Sequence, residues 1–540
     1  MKRNILHLII ALHLGICLTG CRDFLEEYSQ NKVYVKTAED LNELLVGNGY
    51  MITYRTSSGP TYGMSLMTNT VSAPYFPMIH VMDDDSEEDM LLKESGGPSF
   101  TATDASTMNL LGAYHRWEKY PSVDGNLNPV ADLNWERLYK HISILNVIIA
   151  SEEKIIEEEG NSELLERVIG ESYFLRAGYY FLLANVYGQP YAKATASLDY
   201  SVPLKTSEAI EDKYFTRDNT EKVFNQIVTD LNNAARYLKD KTPKNIHHPG
   251  YAAAQAMLSR VYLYMEQYEN AVTAAEEVEK MSYRLLNLNA GEPAKGFASG
   301  ESPEIIFSQG ANIIPCVFGG DDWGQQPGGW NYGVANGFKA SQDLITSYEE
   351  GDLRPSVFFY ISQVQGNYIP LKCKISTIEG GSDSDIVSDN FSIRYGEVIL
   401  NKAEALAILG KDKEACTALN SLRENRFEQS MYKAVSKSGE DLVKYVRKER
   451  RWELCFEGLR WFDLRRYAVN SQYPFTKIIR HPHLLYNAGD KSFYVGGNYE
   501  LGEYQYEKST YVLPIPAEEI EYNNGSLTNA ERPERTLKLQ

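Results

Sequence analysis

One helical pattern occurs twice in this chain, and it limits the fold more than any other feature. Residues 251–280 and 395–426 each read as two short helices about a tight turn. The stretch from Tyr262 to Ala271 aligns with the stretch from Leu406 to Ala415, and in both a small residue, Ser259 or Ala403, stands twelve positions before the alanine that opens the second helix. Small residues at such spacing let paired helices approach closely, and a chain of stacked hairpins can run long as one body. The same period continues upstream. Residues 131–150 set Leu133, Leu138, Ile142, Leu145 and Ile149 near one face. Residues 163–187 carry Leu165, Ile169, Tyr173, Arg176, Tyr180 and Leu183 at three- to four-residue steps, until Gly188 and Pro190 stop the helix. Thr220 is the expected cap of a further helix with Val223, Ile227, Leu231 and Leu238 inside.

The hairpin spacing is that of tetratricopeptide units, although their tryptophan is missing and a generic helical hairpin fits the two segments about as well. Between the helical blocks, residues 51–130 and 283–340 are rich in Gly, Pro, Ser, Asn and aromatics and keep no period. Loops of that length in a compact protein are usually functional or partly disordered.

The amino terminus reads as a signal. Lys2 and Arg3 precede an apolar run from Ile5 to Leu18, too short for a bilayer span of roughly 20 residues. It ends in Leu18-Thr19-Gly20-Cys21, the pattern of a bacterial lipobox, so residues 1–20 are an expected lipoprotein signal and the Cys21 thiol an expected lipid anchor. Acyl chains on Cys21 would hold the protein to a membrane at about 0.8 kcal/mol per buried methylene. Without Lys2 and Arg3, 52 Lys+Arg face 73 Asp+Glu, a net charge near −21. Such a surface repels nucleic acid and excludes a DNA- or RNA-binding role. The remaining cysteines, Cys316, Cys373, Cys416 and Cys455, show no metal spacing and no disulfide framework; Cys416 and Cys455 read as buried free thiols.

Enzyme motifs are absent: there is no HExxH, GxSxG, GxxxxGK[ST] or GxGxxG. A glycosidase needs only two carboxylates close in space, which sequence alone does not forbid. The acidic runs Asp83 to Asp89 and Asp383 to Asp389 lack EF-hand spacing and read as solvated loops, so no metal or cofactor is expected.

Several segments, in order, resemble the SusD/RagB family of Bacteroidetes surface lipoproteins. They include Trp135-x3-Tyr139-x2-Ile142-x3-Asn146, Glu171 to Pro190, Thr216-Arg-Asp-Asn, Pro303-Glu-Ile-Ile-Phe307, Tyr348 with Asp352-x-Arg354, the block from Glu449 to Arg466, and Leu513-Pro-Ile-Pro516. Residues 467–510 form an Asn/Tyr/Gly-rich stretch that does not align. The resemblance implies a mainly α protein, a tetratricopeptide-like scaffold with long aromatic-bearing insertions, made of an amino-terminal region (21–240) and a carboxy-terminal region (241–540). It implies a non-catalytic binder of extracellular glycan that serves as a lid on a SusC-like TonB-dependent transporter of the outer membrane. A peptide ligand, as in RagB-type proteins, and a surface hydrolase are the alternatives. Read physically, the 449–466 block alternates charges around an apolar stripe of Trp452, Phe456, Leu459 and Phe462. That suits a packed helix with charged flanks, Glu457–Arg460 and Asp463–Arg466 as i,i+3 pairs, and a pause or close approach at Gly458.

A glycan platform needs rings for stacking and polar groups for hydroxyls. Two segments offer that mixture. One spans residues 75–120, with Tyr75, Phe76, Tyr114, Trp117 and Tyr120; the other spans 318–332, with Asp322, Trp323, Trp330 and Tyr332 between glycines. Core packing is the competing reading for each ring, and Trp117, between Arg116 and Glu118, reads as a half-buried helix residue.

Overall fold

The computed structural model describes residues 35–51, 75–89, 102–124, 126–291, 296–309, 314–318, 337–361, 366–372, 387–388 and 390–539. The expected anchor Cys21, the platform residues Asp322, Trp323, Trp330 and Tyr332, the acidic run from 383 to 386 with Asp389, and Cys373 lie outside these residues.

Helices dominate. The helices that build the scaffold are α1 (Leu133–Ala150), α2 (Glu163–Tyr187), α3 (Thr220–Leu238), α4 (Tyr251–Tyr264), α5 (Tyr268–Glu279), α6 (Tyr395–Ile408), α7 (Asp412–Arg423), α8 (Gly439–Leu454) and α9 (Arg460–Ala468). From α1 to α7 each helix packs on the next, so the scaffold is a stack of antiparallel neighbours. Ser162 caps α2 by accepting from the Leu165 amide at 3.1 Å, and α2 is buried on nearly every side. Three helices meet at one charge. Arg176 of α2 donates to both oxygens of Asp230 on α3, at 2.8 and 2.7 Å, and to Asn146 Oδ1 of α1 at 2.8 Å. The cap of α3 is Asn219, not Thr220: its Oδ1 accepts from the Lys222 amide, while Thr220 is the first helical residue and wholly buried.

The repeated hairpin is real. In α4–α5 and α6–α7 the turns superpose position by position: Gln267 donates to Tyr262 O and Lys411 to Leu406 O, each at 2.9 Å. Glu266 (φ 56°) and Gly410 (φ 72°) occupy the same left-handed position. Ser259, Ala271, Ala403 and Ala415 are fully buried, and Asn401 on α6 donates to Ser259 Oγ at 2.9 Å.

The 449–466 block is not one helix with charged flanks. It breaks at 455–459, where Phe456 (φ 58°) and Gly458 (φ 75°) turn the chain, and a Cβ on Gly458 would stand 2.7 Å from Ile79 Cδ1. Its charges point inward. Glu453 receives Arg354, Arg394 and Arg426; Glu449 receives Arg354 and Arg423; Glu457 receives Arg394 and Lys372. Glu457 and Arg460 are not a pair, because Arg460 turns to Asp84, whereas Asp463 and Arg466 do pair at 2.7 Å. The sign alternation thus matches buried partners far away in sequence. Glu404, held between Arg447 and Arg466, shows the electrostatic result. Burial alone would raise its carboxyl, but the two guanidiniums hold it down at about 2. A depressed carboxyl stabilises the fold above its unfolded value near 4.3 and stops doing so as pH falls toward 2. Thermal unfolding should therefore show a midpoint steady from neutral pH to about 4.5 and falling steeply below it, with about 3 kcal/mol from Glu404 alone. A midpoint unchanged at pH 3 would refute this assignment.

Strands are short. The 467–510 stretch, unassigned from sequence, contains the one long hairpin among the described residues, Ile479–Asn487 with Ser492–Leu501. The aperiodic region 51–130 contains a helix, Ala102–His115. Cys455 is buried as expected, but Cys416 is half-exposed; both thiols are free. No described helix is long and apolar enough to cross a membrane.

Candidate functional site

Two small ladders support the segments singled out above. Strand β1 (Ser86–Glu88) pairs antiparallel with β2 (Phe338–Ala340), Glu88 opposite Phe338, and the Asp89 amide donates to Gly337 O at 2.8 Å. Residues 90–101 therefore depart beside the point where residues 319–336 return. The departure point of 319–336 lies at the same place, since the rings of Phe318 and Phe338 stand 6.5 Å apart and Phe318 packs edge-on against Phe456. The second ladder, β3 (Phe359–Ile361) with β4 (Tyr368–Pro370), flanks the first. Asn367 just before β4 donates to Asp89 Oδ1 at 2.8 Å, and Lys339 reaches Asn367 Oδ1 at 3.3 Å and Glu87 at 3.4 Å. Two segments more than two hundred residues apart thus share one stem with a polar rim.

Below the stem, Asp83, Asp84 and Asp85 are not a solvated loop. All three are buried, and their carboxylate oxygens lie within 4.8 Å of one another, a grouping that could hold a metal ion. Cations of this chain already occupy it. Arg460 grips both oxygens of Asp84 at 2.7 and 2.8 Å, Lys477 adds a contact at 2.7 Å, and Arg451 pairs with Asp85 at 2.7 Å. Burial would raise Asp84, but Arg451 and Arg460 outweigh it and keep the carboxyl well below its ordinary range. Asp83 is pushed up by burial and by Asp85 and Asp84. The cluster anchors the β1 end of the stem to α8 and α9.

Among the described rings, the structure corrects two assignments. Trp117 is wholly buried, not half-buried, and lies beyond its helix at φ 53°. Its Nε1 donates to Met82 O at 2.9 Å and its ring stacks on His481 at 4.3 Å. Tyr75 is 4% exposed, with its hydroxyl 2.7 Å from His141 Nε2 and its ring 3.6 Å from the Arg137 guanidinium. Neither ring has a face left for a ligand: Tyr75 is packed against α1, and Trp117 against His481. Phe76 and Tyr114 are core residues too. Tyr120 is open, 66% exposed, with the Lys119 ammonium 5.7 Å from its ring. Sequence reasoning placed Asp89 only in an acidic run and missed Lys339 and Asn367, because strand pairing between distant segments brings the three together.

Comparison with known proteins agrees with the architecture. Residues 362–531 match the model of the SusD family, and residues 77–263 match a second one, described as starch-binding and associating with the outer membrane. A SusD-like protein P2 of Formosa agariphila is 25% identical over 443 residues, covering 75% of this chain and 81% of that protein. A SusD superfamily crystal structure from Bacteroides thetaiotaomicron superposes with a TM-score of 0.63 at 23% identity, covering 92% of this chain and all of that one. A laminarin-binding SusD-like protein superposes at 0.58 and 17% identity, with coverages of 92% and 100%.

Proposed function

This chain belongs to the SusD family, and on that premise we propose that it is a non-catalytic binder of extracellular oligo- or polysaccharide. In this reading the rings of the 319–336 loop, Trp323, Trp330 and Tyr332 with Asp322, contact the ligand, together with residues 90–101 and the rim of Asp89, Lys339 and Asn367. The observation that carries it is the shared stem, the Asp89–Gly337 hydrogen bond above all, which brings the polar rim of Asp89, Lys339 and Asn367 to the root of the aromatic-rich segment 319–336. Binding of laminarin by a protein of the same fold lends support to the ligand class. The protein passes its ligand to a SusC-like TonB-dependent transporter and is tethered through Cys21 to the outer membrane. Titration of the full chain with a panel of oligo- and polysaccharides tests the binding; if no glycan binds and a peptide pool does, the RagB-type reading replaces it.

The tether has its own test. Cys21→Ala should release a folded protein from the membrane fraction, and wild type in mild detergent should co-purify with a barrel of the SusC type. A folded Cys21→Ala protein that stays with the membranes would overturn the anchor.

A further inference from the structure

A separate cleft of about 360 Å³ opens between the turn at 45–51 and the start of α4, at the small end of the size range of ligand pockets. Its lining includes Tyr50, Met51, His247, His248, Ser308 and Gln309, with Val46 at the rim. No residue of this lining carries a fixed charge. The two imidazoles are held in one tautomer. His247 Nδ1 faces the Ser308 carbonyl at 3.0 Å, and His248 Nδ1 faces both oxygens of buried Glu171 at 3.2 Å. Both acceptors require a proton on Nδ1, which makes each Nε2 a lone-pair acceptor in the neutral ring. Among the described residues neither Nε2 has a hydrogen-bond partner. Gln309 Oε1 lies 3.2 Å from the Tyr179 hydroxyl, whose shorter bond is to Gly49 O at 2.8 Å, and the Gln309 amide adds a polar group to the lining. Tyr50 is fixed by its own hydroxyl, which donates to Glu171 at 2.6 Å, and its ring meets His248 edge-on at 5.9 Å. Arg167 also pairs with Glu171, at 2.7 Å.

Two imidazole nitrogens, one side-chain amide and a wall of Tyr50, Met51 and Val46 suit a ligand that is uncharged, carries hydroxyls and has an apolar face. We propose that this cleft is a second carbohydrate site, taking one neutral sugar unit through hydroxyls donated to His247 and His248 Nε2. The ligand class rests on the glycan reading above; the site does not depend on the tryptophan loop. Gln309 and Phe318 are nine positions apart, at most about 30 Å of extended chain, so a single oligomer can reach both sites.

Diethyl pyrocarbonate, which acylates accessible neutral imidazole nitrogen, provides the test. On the full chain, modification of His247 and His248 is followed by peptide mass spectrometry with and without ~50 mM glucose, galactose, mannose, xylose, fucose or N-acetylglucosamine. At least one sugar should slow both sites by about fivefold, the occupancy expected for a Kd of about 10 mM. Protection should persist in Trp323→Ala/Trp330→Ala and disappear in Gln309→Ala. If no sugar protects, the proposal fails even where long glycans bind the chain. Protection by zinc alone would make the cleft a metal site, and protection lost in the tryptophan double variant would place the sugar on the loop; either result overturns it.

Discussion

Glu453→Ala should unfold this protein at ordinary temperatures or lower its midpoint further than any surface change. Glu453 is fully buried, and three arginines, Arg354, Arg394 and Arg426, meet it at 3.2, 2.7 and 2.9 Å. Arg394 and Arg426 keep Glu304, and Arg354 keeps Asp352 and Glu449, but each of the three buried guanidiniums would lose a carboxylate partner. Removing one partner of a buried ion pair costs about 3–5 kcal/mol, because the survivor stays desolvated without compensation. That is a large fraction of the roughly 5–15 kcal/mol holding a typical domain together. Glu453→Gln, which keeps one acceptor oxygen, should lose less. Glu440→Ala provides the contrast: its pair with Lys444 is more than 60% exposed on both sides and should leave the midpoint unmoved. Chemical and thermal unfolding of the three variants decide the matter. A Glu453→Ala protein as stable as wild type would mean that the network contributes no net stability.

The second large effect concerns the ligand. Trp323→Ala and Trp330→Ala should each weaken binding of the cognate glycan by about tenfold, and the double variant by up to a hundredfold. The basis is the roughly 1–2 kcal/mol associated with a stacked aromatic contact. In the proposed role as ligand contacts their loss should leave the unfolding midpoint at the wild-type value. Trp117→Ala should behave in the opposite way, costing stability through the lost His481 stack and Met82 hydrogen bond while leaving the affinity of the folded fraction intact. If the loop variants bind like wild type by isothermal titration, the platform is not there.

Much of the scaffold was legible because helices announce themselves locally. The period of 163–187 with the Gly188 stop marked α2 at both ends, and the Ser259/Ala271 and Ala403/Ala415 spacing marked two hairpins whose turns proved equivalent. The cap of α3 was misplaced by one residue, since Asn219 and Thr220 are both good caps and only backbone geometry chooses between them. The Ile479–Asn487 hairpin was missed because long side chains on both faces blur its period of two.

What the sequence alone determined, then, is what depends on neighbours within a turn or two: helix existence, helix ends and the hairpin repeat. Tertiary structure decided the rest. The alternating charges of 449–466 read as the charged flanks of a packed helix until Arg354, Arg394 and Arg426 arrived from other elements to bury them. Asp83 to Asp85 read as a loop until Arg451, Arg460 and Lys477 enclosed them. Tyr75 and Trp117 read as platform rings until packing used up their faces. In each case a polar or aromatic side chain carries the same local signal whether it meets water, ligand or a distant partner. Its role is set by electrostatics and burial, which depend on contacts between residues hundreds of positions apart.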